Sequence, residues 1–151
     1  MIFTKHGLKK AILYGLISGL FLAALLKIIE QITHFKVYTL LLNVDYIPYI
    51  NTFVFPELIE VSFHLIISIA LAICLYLLIV YRKVSSRRRI IVLCMFVCFF
   101  IGAALFPTTT FSERTPEFTS IPSITYWIAG HICYGYVLGI LLARLENYSY
   151  S

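Results

Sequence analysis

The sequence predicts an all-α, polytopic membrane protein: four transmembrane helices in a bundle, with an interfacial segment after the first span. Three observations carry that expectation. Of 151 residues, 61% are hydrophobic and only 13% charged, with a mean hydropathy of +0.94, far from the roughly 45–50% apolar and about 25% charged of soluble domains. Four stretches are apolar for long enough to cross a hydrocarbon core of roughly 30 Å, which takes about 20 residues at 1.5 Å each. None of them alternates polar with apolar residues, so a transmembrane β-barrel is excluded. A water-soluble globule of this length would have to hide more apolar surface than its interior holds. Residues 1–151 therefore read as one integral membrane domain, with no length left for a separate soluble enzyme domain.

The spans are expected at about residues 8–29, 58–81, 90–106 and 124–143. Lys5, Lys9 and Lys10 precede the first, as in a signal peptide, but no small-residue cleavage site follows and Lys27 sits where one would fall. It reads as an uncleaved anchor. The third span, IIVLCMFVCFFIGAALF, is the shortest and stops at Pro107, which cannot continue a helix with a full set of hydrogen bonds.

Basic flanks stay in the cytoplasm. One side holds Lys5, Lys9, Lys10, Arg82, Lys83, Arg87, Arg88, Arg89 and Arg144, while the other holds only Lys36 and Arg114. Both termini are thus expected to be cytoplasmic. The acids agree weakly, with Asp45, Glu57, Glu113 and Glu117 outside and Glu146 inside. The net charge of +5 is an orientation signal and no nucleic-acid partner is expected. Arg87, Arg88 and Arg89 also suit anionic lipid head groups, at about 1 kcal/mol per basic residue.

Two outer connections remain. The first, from about Glu30 to Pro56, is apolar and aromatic; bare loop backbone cannot face lipid, so it is expected along the interface as a short helix and turn. Tyr38, Tyr46, Tyr49 and Phe53 would lie at head-group depth, and Pro48 would break the helix. The second, PTTTFSERTPEFTSIP, is polar and punctuated by Pro107, Pro116 and Pro122. It reads as a surface loop. No internal repeat is visible.

Gly15 and Gly19 form a GxxxG whose four-residue ladder extends to Ala11, Ala23 and Lys27; Trp127, His131, Gly135, Gly139 and Ala143 form a second. Small residues in rows let helix backbones approach closely, which matters in lipid, where apolar surface alone gives no reason to associate. The first and fourth spans are expected to pack through these ladders. The alternative is a contact between two copies, and with this charge bias any homodimer would be parallel.

Ionisable groups gather at outer-leaflet depth. Glu57, Glu60, His64 and Ser68 share a face of the second span, with His64 and His131 roughly 10 Å below the outer surface and Lys27, Glu30 and Glu60 nearer to it. Intramembrane charges usually face the bundle and pair, and Lys27 with Glu60 is the expected pair. The plain reading is a set of mutually satisfied groups that hold four helices in register. The functional reading is a polar pocket in which Glu60 tunes His64 as a general base, or in which His64, His131 and Glu60 bind a metal. No HExxH or paired histidine spacing supports the metal.

Cys74, Cys94, Cys98 and Cys133 fall inside apolar spans and read as small hydrophobes. His6 and His34 lie in the flanks. No phosphate loop, nucleophile elbow or nucleotide fingerprint occurs, and no cofactor is expected. A protein that binds or scaffolds a membrane partner or lipid through the polar cluster ranks first. An intramembrane acid–base enzyme acting on a lipid or acyl-linked substrate follows. A transporter or ion-handling oligomer comes last, because the inner halves of the spans offer few polar side chains.

Lys27 and Glu30 closing the first span, FHLIIS around His64, Phe106 and Pro107 closing the third, and Gly130 with His131 in the fourth together resemble the small four-span bacterial inner-membrane proteins of the YagU and YqhR type. The Pro-Pro-Arg segment associated with YagU after the first span is absent, and HFKVYTLLLNVDYIP stands in its place. The resemblance implies an architecture and a bacterial plasma membrane. It implies no reaction.

Overall fold

The computed structural model describes residues 3–44, 49, 53 and 55–145. Asp45, Tyr46, Pro48 and Glu146 lie outside the described residues. Among the described residues five α-helices follow in order: α1 (Lys5–Thr33), α2 (Val37–Leu42), α3 (Glu57–Tyr81), α4 (Arg87–Leu105) and α5 (Ile121–Ala143), with a short 3-10 helix over Phe106–Phe111. Four of them are long and apolar enough to cross a membrane, so the chain is an all-α four-helix membrane bundle. One face carries the chain start, the α3–α4 turn and the end of α5; we term it the terminal face. The other carries the two long connections and is termed the loop face.

Local chemistry sets the ends. Thr4 is extended and its hydroxyl accepts from the Gly7 N–H at 2.9 Å, an N-cap that starts α1 before the apolar run begins. At 29 residues, α1 is about 43 Å long and overshoots a bilayer core. It stops where His34 adopts a left-handed conformation (φ 62°) and its N–H reaches the Glu30 carbonyl. Pro107 ends α4 at Leu105, and the chain tightens into the 3-10 helix. Its N–H is missing and its ring is compatible only with a first turn.

Close packing joins α4 to α5 and α1 to α3, with α1 against α5 next; α3 and α4 are not a closely packed pair. The helices therefore run α3, α1, α5, α4 across the bundle. Burial agrees, since half of the apolar window of α5 is buried against 28% in α3 and in the α4 segment. The glycine ladders do not face each other, contrary to expectation. A Cβ on Gly15 would fall 2.8 Å from Ile69 Cα, and one on Gly19 2.8 Å from the Ser68 hydroxyl, so that ladder serves α3. Gly135 and Gly139 would likewise meet Cys94, Met95 and Ile91 of α4. The α1–α5 seam is instead made where Gly130 receives Leu26. A small-residue row permits a close neighbour without specifying which one.

The second connection is exposed over most of its length, as a surface loop should be, but two of its threonines anchor it inward. Thr109 and Thr115 are buried, and the Thr115 hydroxyl donates to the Thr109 and Ser112 carbonyls at 3.1 and 2.9 Å. The first connection forms the expected short helix, and α2 turns its apolar residues onto the bundle. Val37, Leu40, Leu42 and Val44 are buried, so α2 lies over the loop-face end of the bundle. Tyr49 and Phe53 are exposed.

Candidate functional site

The ionisable residues separate into a rim and a slot. At the rim, Lys27 Nζ meets Glu57 Oε1 at 2.6 Å and stands 5.2 Å from the centre of the Tyr38 ring. The Tyr38 hydroxyl donates to the same Glu57 oxygen at 2.7 Å. Burial first, and then this bond to a carboxylate, push the Tyr38 phenol above its ordinary value. Glu30 accepts from the Tyr38 and Thr39 N–H groups at 2.7 and 2.9 Å and from the Thr39 hydroxyl at 2.7 Å. Its carboxylate thus satisfies the free N–H groups that begin α2 and clamps that helix to α1.

The expected Lys27–Glu60 pair is not formed. Glu60 is 4% exposed and is held by the Arg114 guanidinium, with Nη1 at 3.0 Å and Nη2 at 3.4 Å from its two oxygens. The three-residue step from Glu57 to Glu60 turns one carboxylate to α1 and the other under the second connection. That connection folds inward and brings Arg114 down onto it. Sequence reasoning used Arg114 only to count charge; a lone arginine among the acids of that loop, opposite a carboxylate inside a span, was the available signal.

Below the rim, polar side chains bond to bared backbone. His64 Nε2 lies 3.1 Å from the Gly19 carbonyl and His131 Nδ1 lies 3.0 Å from the Trp127 carbonyl. A carbonyl only accepts, so each ring nitrogen named here donates and the other nitrogen of each neutral ring keeps its lone pair. The Ser68 hydroxyl donates to the Gly15 carbonyl at 2.7 Å, and the Tyr134 hydroxyl donates to Ser68 Oγ at 2.8 Å. Trp127 Nε1 donates to the Gly102 carbonyl at 2.8 Å and its ring lies 4.3 Å from that of His131. Three glycines therefore do two jobs. They admit a neighbouring helix, and without a side chain they expose a carbonyl to it.

These groups line a cavity of about 80 Å³ among α1, α3, α4 and α5. Glu60, His64 and His131 all face it, as the sequence suggested, together with Ser68, Tyr134 and Trp127. Lys27, Glu30 and Glu57 belong to the rim and do not line it. Leu40 and Leu42 of α2 close its loop-face end, and Ile67, Ile101 and Leu105 border it where α3 and α4 stand apart. Ile67 is 55% exposed, so this side faces lipid. Among the described residues no three His, Cys, Asp or Glu side chains are gathered to hold a metal ion, and the His64, His131 and Glu60 triad is not assembled as a ligand set. Cys94 and Cys98 are free, buried thiols on α4, with Cys94 against Gly135 and Gly139 and Cys98 against Gly135. Arg87, Arg88 and Arg89 are exposed at the start of α4, far from the slot. Comparison with protein-family models, curated proteins and solved structures finds no match.

Proposed function

We propose that this is a multi-pass protein of a bacterial plasma membrane, with both termini cytoplasmic, that binds a lipid in the outer leaflet without transforming it. The observation that carries the reading is the cavity: largely apolar with a few convergent polar groups, roofed by α2, and bordered by Ile67, Ile101 and Leu105 where α3 and α4 are not closely packed. Ligand sites between helices of a bundle are characteristically apolar with a few convergent polar groups. A side opening suits a ligand that arrives from the bilayer. The orientation rests on the lysines and arginines crowding the terminal face, and the resemblance to the YagU and YqhR type supports the bacterial setting. Arg88 and Arg89, which with Ser86 and Phe96 line a shallow recess, would hold anionic head groups of the inner leaflet.

Native mass spectrometry after mild extraction tests the site. A retained lipid that is lost when Ile67→Trp fills the opening is the expected result; no retained lipid, or retention indifferent to that change, overturns it. For orientation, Ser86→Cys should resist membrane-impermeant labelling of intact cells, and reaction from outside would reverse the topology. Acid–base catalysis is the second reading, favoured by the His131 ring nitrogen left with its lone pair. It ranks lower because the Ser68 hydroxyl spends its proton on a backbone carbonyl and so has no base to activate it.

A further inference from the structure

This inference rests on the lipid-binding reading and names the ligand's chemistry. His131 is 4% exposed, and its ring is fixed from three directions. Its Nδ1 is committed to Trp127 O, the Trp127 ring lies tilted against it with centroids 4.3 Å apart, and Gly102 lies so close that a Cβ there would fall 2.8 Å from His131 Cγ. These contacts hold the ring in its place on the cavity wall. Its Nε2 keeps a lone pair, and among the described residues nothing donates to it. His64 is in the same state across the cavity: Nε2 is bonded to Gly19 O, and Nδ1 has no donor among the described residues. His64 and His131 both line the cavity, and neither free ring nitrogen is a fully enclosed atom without a partner, so a donor that enters the cavity can reach an acceptor on either side.

The charges around the entrance decide what can meet them. Among the described residues of the loop face, Lys27, Lys36 and Arg114 stand against Glu30, Glu57, Glu60, Glu113 and Glu117. Lys27 is engaged by Glu57 and Arg114 by Glu60, and with these carboxylates outnumbering the cations the entrance carries no net positive charge to draw in a phosphate. A phosphate would also approach the buried Glu60 carboxylate, a like charge. The volume of about 80 Å³ admits a few water-sized groups, enough for a hydroxyl and its nearest carbons. The walls that continue outward, Phe63, Ile67, Ile101 and Leu105, suit a hydrocarbon tail.

We infer that the cavity takes the free hydroxyl of a neutral lipid, such as a diacylglycerol, which enters between α3 and α4 and donates to His131 Nε2 with His64 Nδ1 as the second acceptor. Neutral hydroxyl-headed lipids can sink below phosphate depth because no charge has to leave water.

The test places the full-length protein in phosphatidylethanolamine nanodiscs with trace diacylglycerol bearing a diazirine on one tail, or phosphatidic acid with the same tails, and maps the photolabelled peptides. Diacylglycerol should label the facing sides of α3 and α4, be competed by unlabelled diacylglycerol, and exceed phosphatidic acid about tenfold. His131→Leu, which has no acceptor, should weaken competition about tenfold, the worth of one buried hydrogen bond. His131→Gln, whose amide oxygen accepts, should restore part of it, and Ile101→Trp should block labelling with the histidines untouched. Equal labelling by both probes overturns the head-group assignment and leaves lipid binding standing. So does a His131→Leu protein that melts and competes like the wild type. Absence of label between α3 and α4 with either probe, the result if water alone fills the cavity, removes the lipid-binding reading as well.

Discussion

The two ends of the bundle are built on different terms. Towards the terminal face, Ala11, Tyr76, Ile79, Ile90, Leu138 and Leu142 are all fully buried, and Tyr76 alone brings a polar atom, which accepts from the Thr4 N–H at 3.1 Å. Towards the loop face lie the buried Asn43, Glu60, Thr109, Thr115, Ser123 and His131, together with the cavity. Among the described residues the buried Ser18 and Ser68 fall between the two ends. A dry, close-packed half secures the helices, which leaves the other half free to carry polar groups whose burial costs stability. Sites are commonly held at such a cost, offset elsewhere in the fold.

That contrast can be broken by substitution. The largest effect is expected in the dry half. Gly139→Val places carbon against Ile91 Cα, backbone that cannot yield, and should cost about 3 kcal/mol or more. Thermal unfolding in detergent measures it, and an unchanged midpoint would mean that the α4–α5 contact is not where stability resides. Next comes Arg114→Ala, which leaves Glu60 buried without its cation. Breaking a buried pair costs up to about 5 kcal/mol, but the Arg114 side chain is 49% exposed, so water recovers part of the loss and about 1–2 kcal/mol is expected. A cycle with Glu60→Gln should recover most of that.

His64→Gln should cost less than about 1 kcal/mol, because the amide can still donate to Gly19 O and interhelical bonds in membranes average well under 2 kcal/mol. Function separates the readings: a structural role for His64 and His131 predicts that both Gln variants complement a deletion strain. A base predicts loss of activity in well-folded protein. Smallest is Lys27→Met. Its pair with Glu57 is exposed on both sides (45% and 56%), and a change above about 0.5 kcal/mol would place more of the stability at the rim than the packing suggests.

The four spans were legible because spanning length and apolarity belong to single stretches of sequence. The helix partners were not, since Gly15 and Gly19 announce a near neighbour without an address. His64, His131 and Glu60 were found together because depth can be counted from a membrane edge. The expected Lys27–Glu60 pair is not the one formed, because Arg114 reaches Glu60 only through the fold of a connection that reads as polar loop. The short helix after α1 was expected, but its place as the roof of a cavity depends on where its buried leucines find a surface, which is a tertiary fact.

The hydrogen bonds of the slot also bear on how such a protein is made. His64 and Ser68 of α3 bond to Gly19 and Gly15 of α1, while Trp127 of α5 bonds to Gly102 of α4 and His131 bonds within α5. Most of these bonds thus lie within one closely packed pair, and the bond from Tyr134 to Ser68 crosses between pairs. As the chain leaves the ribosome, α1 with α3 and α4 with α5 can each settle in lipid with their own backbone-directed bonds made, and the Tyr134 hydroxyl gains its acceptor only when the two pairs meet. The cavity then comes into being last, when the two units meet along α1 and α5, so a half-synthesised chain presents no binding site to the membrane around it.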